Sequence, residues 1–148
     1  MSARFFEDFA VGDRFGTAAA ALDEQEILAF GRRYDPQPFH TDPAAATDSI
    51  YGGLIASGFQ TLAAGFRQIW ETGVFQGSSL GSPGLDELRW LKPVRPGDSL
   101  RVEGEVTEIR PSQSKPDRGI VRIAYRYLNQ RDEVVLTFNA MHLLRRRG

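Results

Sequence analysis

The stretch FQTLAAGFRQIWETG, residues 59–73, decides how the chain is read. Phe59, Leu62, Ala63, Phe66, Ile69 and Trp70 recur three or four positions apart, the period of one face of an α-helix. The helix should stop at Gly73, because glycine readily adopts the left-handed conformation that closes a helix. An apolar stripe of this kind needs a surface to cover it. The segment is therefore expected to be the central, most buried helix, with Trp70 in the core.

The covering surface lies downstream, where the period changes to two. In DSLRVEGEVTEI (98–109), Leu100, Val102 and Val106 share one face and Arg101, Glu103 and Glu105 the other. In GIVRIAYRYL (119–128), Val121, Ile123, Tyr125 and Tyr127 alternate with Arg122 and Arg126. LDELRWLKPV (85–94) and EVVLTFNAMHLL (133–144) read as further strands, with Trp90 in the core and His142 in a structural role. Turns are expected at Pro96–Asp98 and Asn129–Glu133, where small, polar and glycine residues cluster. PSQSKPDRG (111–119) is polar and lies between two strand patterns, so it reads as a hairpin loop and not as a linker.

Upstream, LDEQEILAFGRRY (22–34) carries an N-terminal helix signature: Asp23 as cap, with Glu26 three residues later. Leu22 can staple onto Ile27, and Ile27, Phe30, Gly31 and Tyr34 form the stripe. Pro36 disfavours a helical Asp35, so this helix ends near Tyr34. A strand near the N-terminus, then helices, then long hairpin-linked strands make an α+β fold. One long apolar helix covered by one curved antiparallel sheet is the hot-dog arrangement. The 148 residues suit a single domain, 1–148.

Composition removes several function classes. There is no cysteine, which excludes disulfides, thiolate nucleophiles and cysteine-ligated metals. Two histidines leave little for a histidine-based metal site, so no metal is expected. A net charge of −1 gives no global attraction to nucleic acid or anionic membrane. The basic tail LLRRRG (143–148) reads as a solvated end. No apolar run approaches the roughly 20 residues of a membrane span. Glu7 and Asp8 fall where a signal peptide needs apolar residues, so a soluble, cytoplasmic protein is expected.

Two short stretches carry chemistry. YDPQPFHTDPAAA (34–46) places Asp35 five residues before His40, one of the two histidines, with Pro36 and Pro38 between them. Near neutral pH an aspartate and a histidine can hold one water between an acceptor and a proton-exchanging group. Five extended residues span roughly 16 Å, so the loop must curl to bring both to one water. Prolines lower the entropy lost in ordering it. Pro43 fits the first turn of a short helix capped by Thr41 or Asp42. Downstream, GGLIASGF (52–59) leads into the central helix, with Ser57 and Gly58 at its mouth. Backbone N–H groups there lack intrahelical partners and suit an oxyanion. Taken by spacing alone, the same residues equally end a helix, fill a loop and cap the next helix.

These residues resemble a known family. YDPQPFHTDPAAA followed by YGGLIASGFQTLAA (51–64) resembles the hydratase motif of MaoC-like dehydratases and (R)-specific enoyl-CoA hydratases. LRWLKPVRPGDSLRVEGEV (88–106) resembles that family's strand–turn–strand segment. The resemblance implies a hot-dog homodimer that adds water across a trans-2-enoyl-CoA double bond, giving a 3-hydroxyacyl-CoA, and whose active site is near the subunit interface. It implies no cofactor beyond coenzyme A or acyl carrier protein as part of the substrate. Asp35 falls on the catalytic aspartate, His40 on the catalytic histidine, and Gly58 on the glycine whose N–H binds the thioester oxygen. Gln37 stands where the family often has asparagine and is expected to order the loop. Ser57, at the oxyanion site, stands where the family often has histidine. A hot-dog thioesterase and a non-catalytic acyl-thioester-binding subunit are the alternative readings.

Overall fold

Three long strands, β4 (Ser99–Pro111), β5 (Arg118–Leu128) and β6 (Val134–Arg145), form the middle of an antiparallel sheet in the computed structural model, which describes residues 4–148. β3 (Gly84–Trp90) pairs with β6 at one edge; β1 (Arg14–Gly16) and β2 (Ala20–Ala21) both pair with β4 at the other. The alternation seen in the sequence sets the faces. Leu100, Val102, Val106, Val121, Ile123 and Tyr127 are buried on the inner face. The outer face carries ion pairs such as Arg126–Glu103 and Arg122–Asp86. The expected hairpin turns are present, with Gly97 at φ 86 and Asp132 at φ 58.

Four helices lie between β2 and β3: α1 (Glu24–Tyr34), the single turn α2 (Pro38–Thr41), α3 (Pro43–Thr47) and α4 (Gly58–Glu71). The cap of α1 forms as expected. The Asp23 carboxylate accepts from the Glu26 N–H at 2.8 Å, and Glu26 accepts from the Asp23 N–H at 3.4 Å. Leu22 and Ile27 are both buried. α4 is the long helix against the inner face of the sheet, which completes the hot-dog arrangement. Gly65 makes the approach possible. A Cβ there would sit 2.1 Å from a ring carbon of Tyr127, whose hydroxyl donates to the Leu62 carbonyl at 2.9 Å.

The orientation of α4 meets the expectation only in part: of the stripe, Ile69 is buried and Leu62 packs against the core, but the aromatic residues do not. Thr61, Gly65 and Ile69 turn inward, whereas Phe59, Phe66 and Trp70 are 60%, 44% and 43% exposed. Small residues let the helix sit close to the sheet, and the sheet's own side chains fill the space between. The aromatic side chains are left on the opposite side. Trp90 is likewise 45% exposed instead of buried in the core, because β3 is the edge strand. Tyr34, placed on the α1 stripe, is also exposed. The basic tail is not simply solvated: Arg146 and Arg147 pair with Glu7 and Asp8.

His142 lies in the core. Its Nε2 is 2.7 Å from the Tyr125 hydroxyl and its ring stacks on Phe75 at 4.3 Å. Burial disfavours its charged form and lowers its pKa to about 4, so it is neutral near pH 7. Among the described residues no helix is long and apolar enough to cross a membrane.

Candidate active site

Asp35 is the residue on which α1 stops. Its φ of −152° and ψ of 72° are not helical, in keeping with the proline that follows, and its N–H closes the helix on the Gly31 carbonyl at 2.9 Å. Pro38 then opens α2, where its fixed φ suits the first turn. That one turn is the curl the loop requires, since it carries His40 back toward Asp35. α2 can lie on α1 because of Gly31: a Cβ there would come 2.7 Å from the His40 carbonyl oxygen. Asp42 caps α3 by accepting from the N–H groups of Ala44 and Ala45 at 3.0 and 3.2 Å.

The segment before α4 holds the imidazole. The Ile55 N–H donates to the Phe39 carbonyl at 3.0 Å, and Ala56 N–H to the Val94 carbonyl at 2.8 Å. His40 Nδ1 is 2.8 Å from the Ile55 carbonyl oxygen. A carbonyl only accepts, so Nδ1 carries the hydrogen and Nε2 is the nitrogen left for chemistry. His40 Nε2 lies 3.3 Å from Asp35 Oδ2.

The Asp35 carboxylate has donors on both oxygens. Gln37 Nε2 donates to Oδ1 at 2.8 Å, and the Ser57 hydroxyl donates to Oδ2 at 2.7 Å. Partial burial pushes the carboxyl pKa up. The bonds from Gln37 and Ser57 and the charge His40 carries when protonated together outweigh burial and hold it below its ordinary value. Ser57 is also the N-cap of α4, its oxygen accepting from the Phe59 N–H at 3.3 Å. It is fully buried, and its hydroxyl is committed to Asp35 instead of facing ligand as an oxyanion donor.

Gly58 is the first residue of α4. Among the described residues its N–H meets no acceptor, as expected of a first-turn amide. Its lack of a side chain is required, since a Cβ would fall 2.4 Å from an indole carbon of Trp90. Asp35, His40 and Gly58 share one cleft of about 470 Å³. Phe39, Phe59 and Trp90 form much of its apolar wall, and Lys92 stands at it, paired with Glu133 at 2.6 Å. The wall residues escaped the sequence reading, because an aromatic residue in a strand or helix pattern carries no mark of whether it faces a core or a cleft. Gly31 was read only as part of a stripe.

A larger concavity of about 840 Å³ lies on the outer face of the sheet. Its charged walls, including Arg14, Glu103, Glu105 and Arg126, pair with one another. Among the described residues it contains no acid–imidazole pair and no helix mouth, so the smaller cleft is the candidate site. Among the described residues no three His, Cys, Asp or Glu side chains converge as metal ligands.

Comparison with known proteins finds one family model and numerous relatives and solved structures. The family described as "MaoC like domain" matches residues 8–124. The crystal structure of a MaoC-like dehydratase from Rhodospirillum rubrum has a TM-score of 0.90 and 44% identity, covering 99% of both chains. The unliganded R-hydratase PhaJ1 from Pseudomonas aeruginosa has a TM-score of 0.77 and 27% identity, covering 97% of this chain and 86% of that one. Mesaconyl-CoA hydratase from Cereibacter sphaeroides is 30% identical over 97% of this chain, which spans only 42% of that protein's length.

Proposed function

The chain belongs to the MaoC-like domain family, and from that premise we propose that it is an enoyl-thioester hydratase, reversible as a dehydratase. The substrate is a trans-2-enoyl-CoA or the same acyl group on a carrier protein, and the product a 3-hydroxyacyl thioester of R configuration. The observation that supports this most is the pairing of His40 Nε2 with Asp35 Oδ2 at 3.3 Å, in the cleft that Gly58 also lines. The mesaconyl-CoA hydratase and R-hydratase relatives support the same class of reaction.

The chemistry follows from these groups. The Gly58 N–H donates to the thioester oxygen and draws electron density from C3. A water held by the Asp35–His40 pair forms its O–C3 bond while one of its protons passes to the pair. The C2=C3 electrons move toward the carbonyl, giving an enolate whose oxygen rests on the Gly58 N–H. The enolate collapses as C2 takes a proton back from the pair. The sum is addition of one water, and no redox or metal step is required.

The test is a panel of enoyl-CoA esters followed by ultraviolet absorbance, with a thiol reagent in parallel. Loss of the conjugated double bond without free thiol is the expected result. Release of thiol with the double bond intact would replace the hydratase reading by a thioesterase. Tight binding of acyl-CoA with neither signal would point to a non-catalytic binding subunit.

We also propose that the chain works as a homodimer. The outward face of α4 exposes Phe59, Phe66 and Trp70, and the open edge of the sheet, β3, exposes Leu85 and Trp90. Contiguous apolar patches beside an unpaired strand edge mark association surfaces. Sedimentation should give twice the chain mass, and Phe66→Glu should shift it toward the monomer. A parent protein that sediments as a monomer at micromolar concentration would refute this.

A further inference from the structure

We propose that Ser57 is a positioning residue: its hydroxyl ties the Asp35 carboxylate to the first turn of α4, so that Asp35 stays ionised and His40 alone carries the travelling proton. The proposal rests on the hydratase reading above and assigns a division of labour within it.

Hydrogen-bond chemistry fixes the direction of the Ser57 proton. The Phe59 N–H, 3.3 Å from Oγ, can only donate, so Oγ accepts from it. The single hydroxyl hydrogen is therefore free to point at Asp35 Oδ2, 2.7 Å away. Accepting one bond while donating another polarises the hydroxyl and strengthens the donated bond. Ser57 is fully buried, so no bulk water competes with it at that oxygen.

Asp35 then has a donor on each oxygen, Gln37 on Oδ1 and Ser57 on Oδ2. Each donated bond is stronger to the anion than to the neutral acid, so protonation of either oxygen weakens both. The acid form is thus disfavoured by geometry, and the lowered carboxyl pKa agrees. The other ionisable groups near the pair do not offer a substitute. Tyr51 and Lys92 line the same cleft, and Lys92 is paired with Glu133. Arg32 and Arg33 of the last turn of α1 are exposed, and the first turn of α4 has no acidic residue.

The proton route follows. When water bonds to C3, its proton goes to His40 Nε2, and the imidazolium is stabilised by the fixed carboxylate 3.3 Å away. Nε2 then returns that proton to C2. Asp35 begins and ends as the anion, and the atoms balance to one added water. A serine in this place joins the carboxylate to the helix whose next N–H holds the thioester oxygen. One short chain of bonds therefore sets the spacing between the proton carrier and the oxyanion donor.

The experiment is a carbon-13 NMR titration of the Asp35 carboxyl in the parent, Ser57→Gly and Ser57→Thr proteins, with enoyl-CoA kinetics over pH on the same samples. Glycine is nearly as good a helix cap as serine, so Ser57→Gly removes the donor while sparing the cap. The Asp35 midpoint should rise by roughly one pH unit in Ser57→Gly, the size of one charge-assisted bond. The rate constant kcat should fall by about tenfold. Ser57→Thr, which keeps a hydroxyl, should return both toward the parent. An unmoved midpoint in folded Ser57→Gly, or a Ser57→Thr protein as impaired as Ser57→Gly, overturns the role of Ser57 and leaves the hydratase reading standing. A parent that hydrates no enoyl thioester removes that reading and the proton route together, even if the midpoint moves.

Discussion

Replacing His40 by alanine should lower kcat for hydration of crotonyl-CoA by about 10² to 10⁴, the usual contribution of a positioned proton-transfer group. Among the described residues the imidazole is the only group in the cleft with an open nitrogen beside the carboxylate, since Nδ1 is spent on the Ile55 carbonyl. Alanine also leaves that carbonyl without its partner, at a cost of about 1–3 kcal/mol. A modest loss of stability must therefore be separated from the loss of rate by working well below the melting temperature. Asp35→Asn should fall by a comparable factor for a different reason. The amide nitrogen of asparagine is a donor in place of one carboxylate oxygen, so either Gln37 Nε2 or the Ser57 hydroxyl loses its acceptor, and the negative charge beside His40 is lost. The double variant should be little worse than the poorer single one, because residues that act as a unit are not additive. Two folded single variants that hydrate crotonyl-CoA at the parental rate would show that the chemistry lies elsewhere.

Gly65→Ala should destabilise the fold by about 2 kcal/mol, although alanine is the better helix former. Helix propensity favours the change by about 1 kcal/mol. Against that, the new Cβ would lie 2.1, 2.3 and 2.8 Å from three atoms of the Tyr127 ring. The ring cannot swing aside: it is fully buried and its hydroxyl is bonded to the Leu62 carbonyl of the same helix. α4 must lift from the sheet, and overpacking this close costs about 3 kcal/mol, the upper end of the usual range. The lift also moves Ser57 and Gly58 at the helix start, so activity should fall along with stability. Urea denaturation of parent and variant measures the first effect. A midpoint unchanged or raised would mean that α4 is not seated on Tyr127 as described.

The contrast between these two sites bears on what could be read in advance. Asp35 and His40 were visible as residue types at a spacing, and Pro36 and Pro38 announced a stiff loop. That the loop curls through a single helical turn follows from the need to close it, but Gly31, which makes room for that turn, left no signal of its own. Gly65 was equally silent. Within a helical stretch a glycine reads as a weak position, and only the distance to Tyr127 shows that a close approach depends on it.

Local rules decided the elements. The Asp23–Glu26 cap, the proline stops, the helix over 58–71 and the alternating strands follow from sterics and periodicity within a few residues of chain. Those rules were enough for the α+β class and for the place of Asp35, His40 and Gly58 along the chain. Only the tertiary structure decided which face of α4 turns inward, that Ser57 spends its hydroxyl on a carboxylate 22 residues earlier, and that Trp90 closes over Gly58. Periodicity states that a helix has an apolar face; it does not state what covers that face. Small residues set how near the helix can approach the sheet, and that distance, a property of two distant segments at once, determines where every large side chain must go.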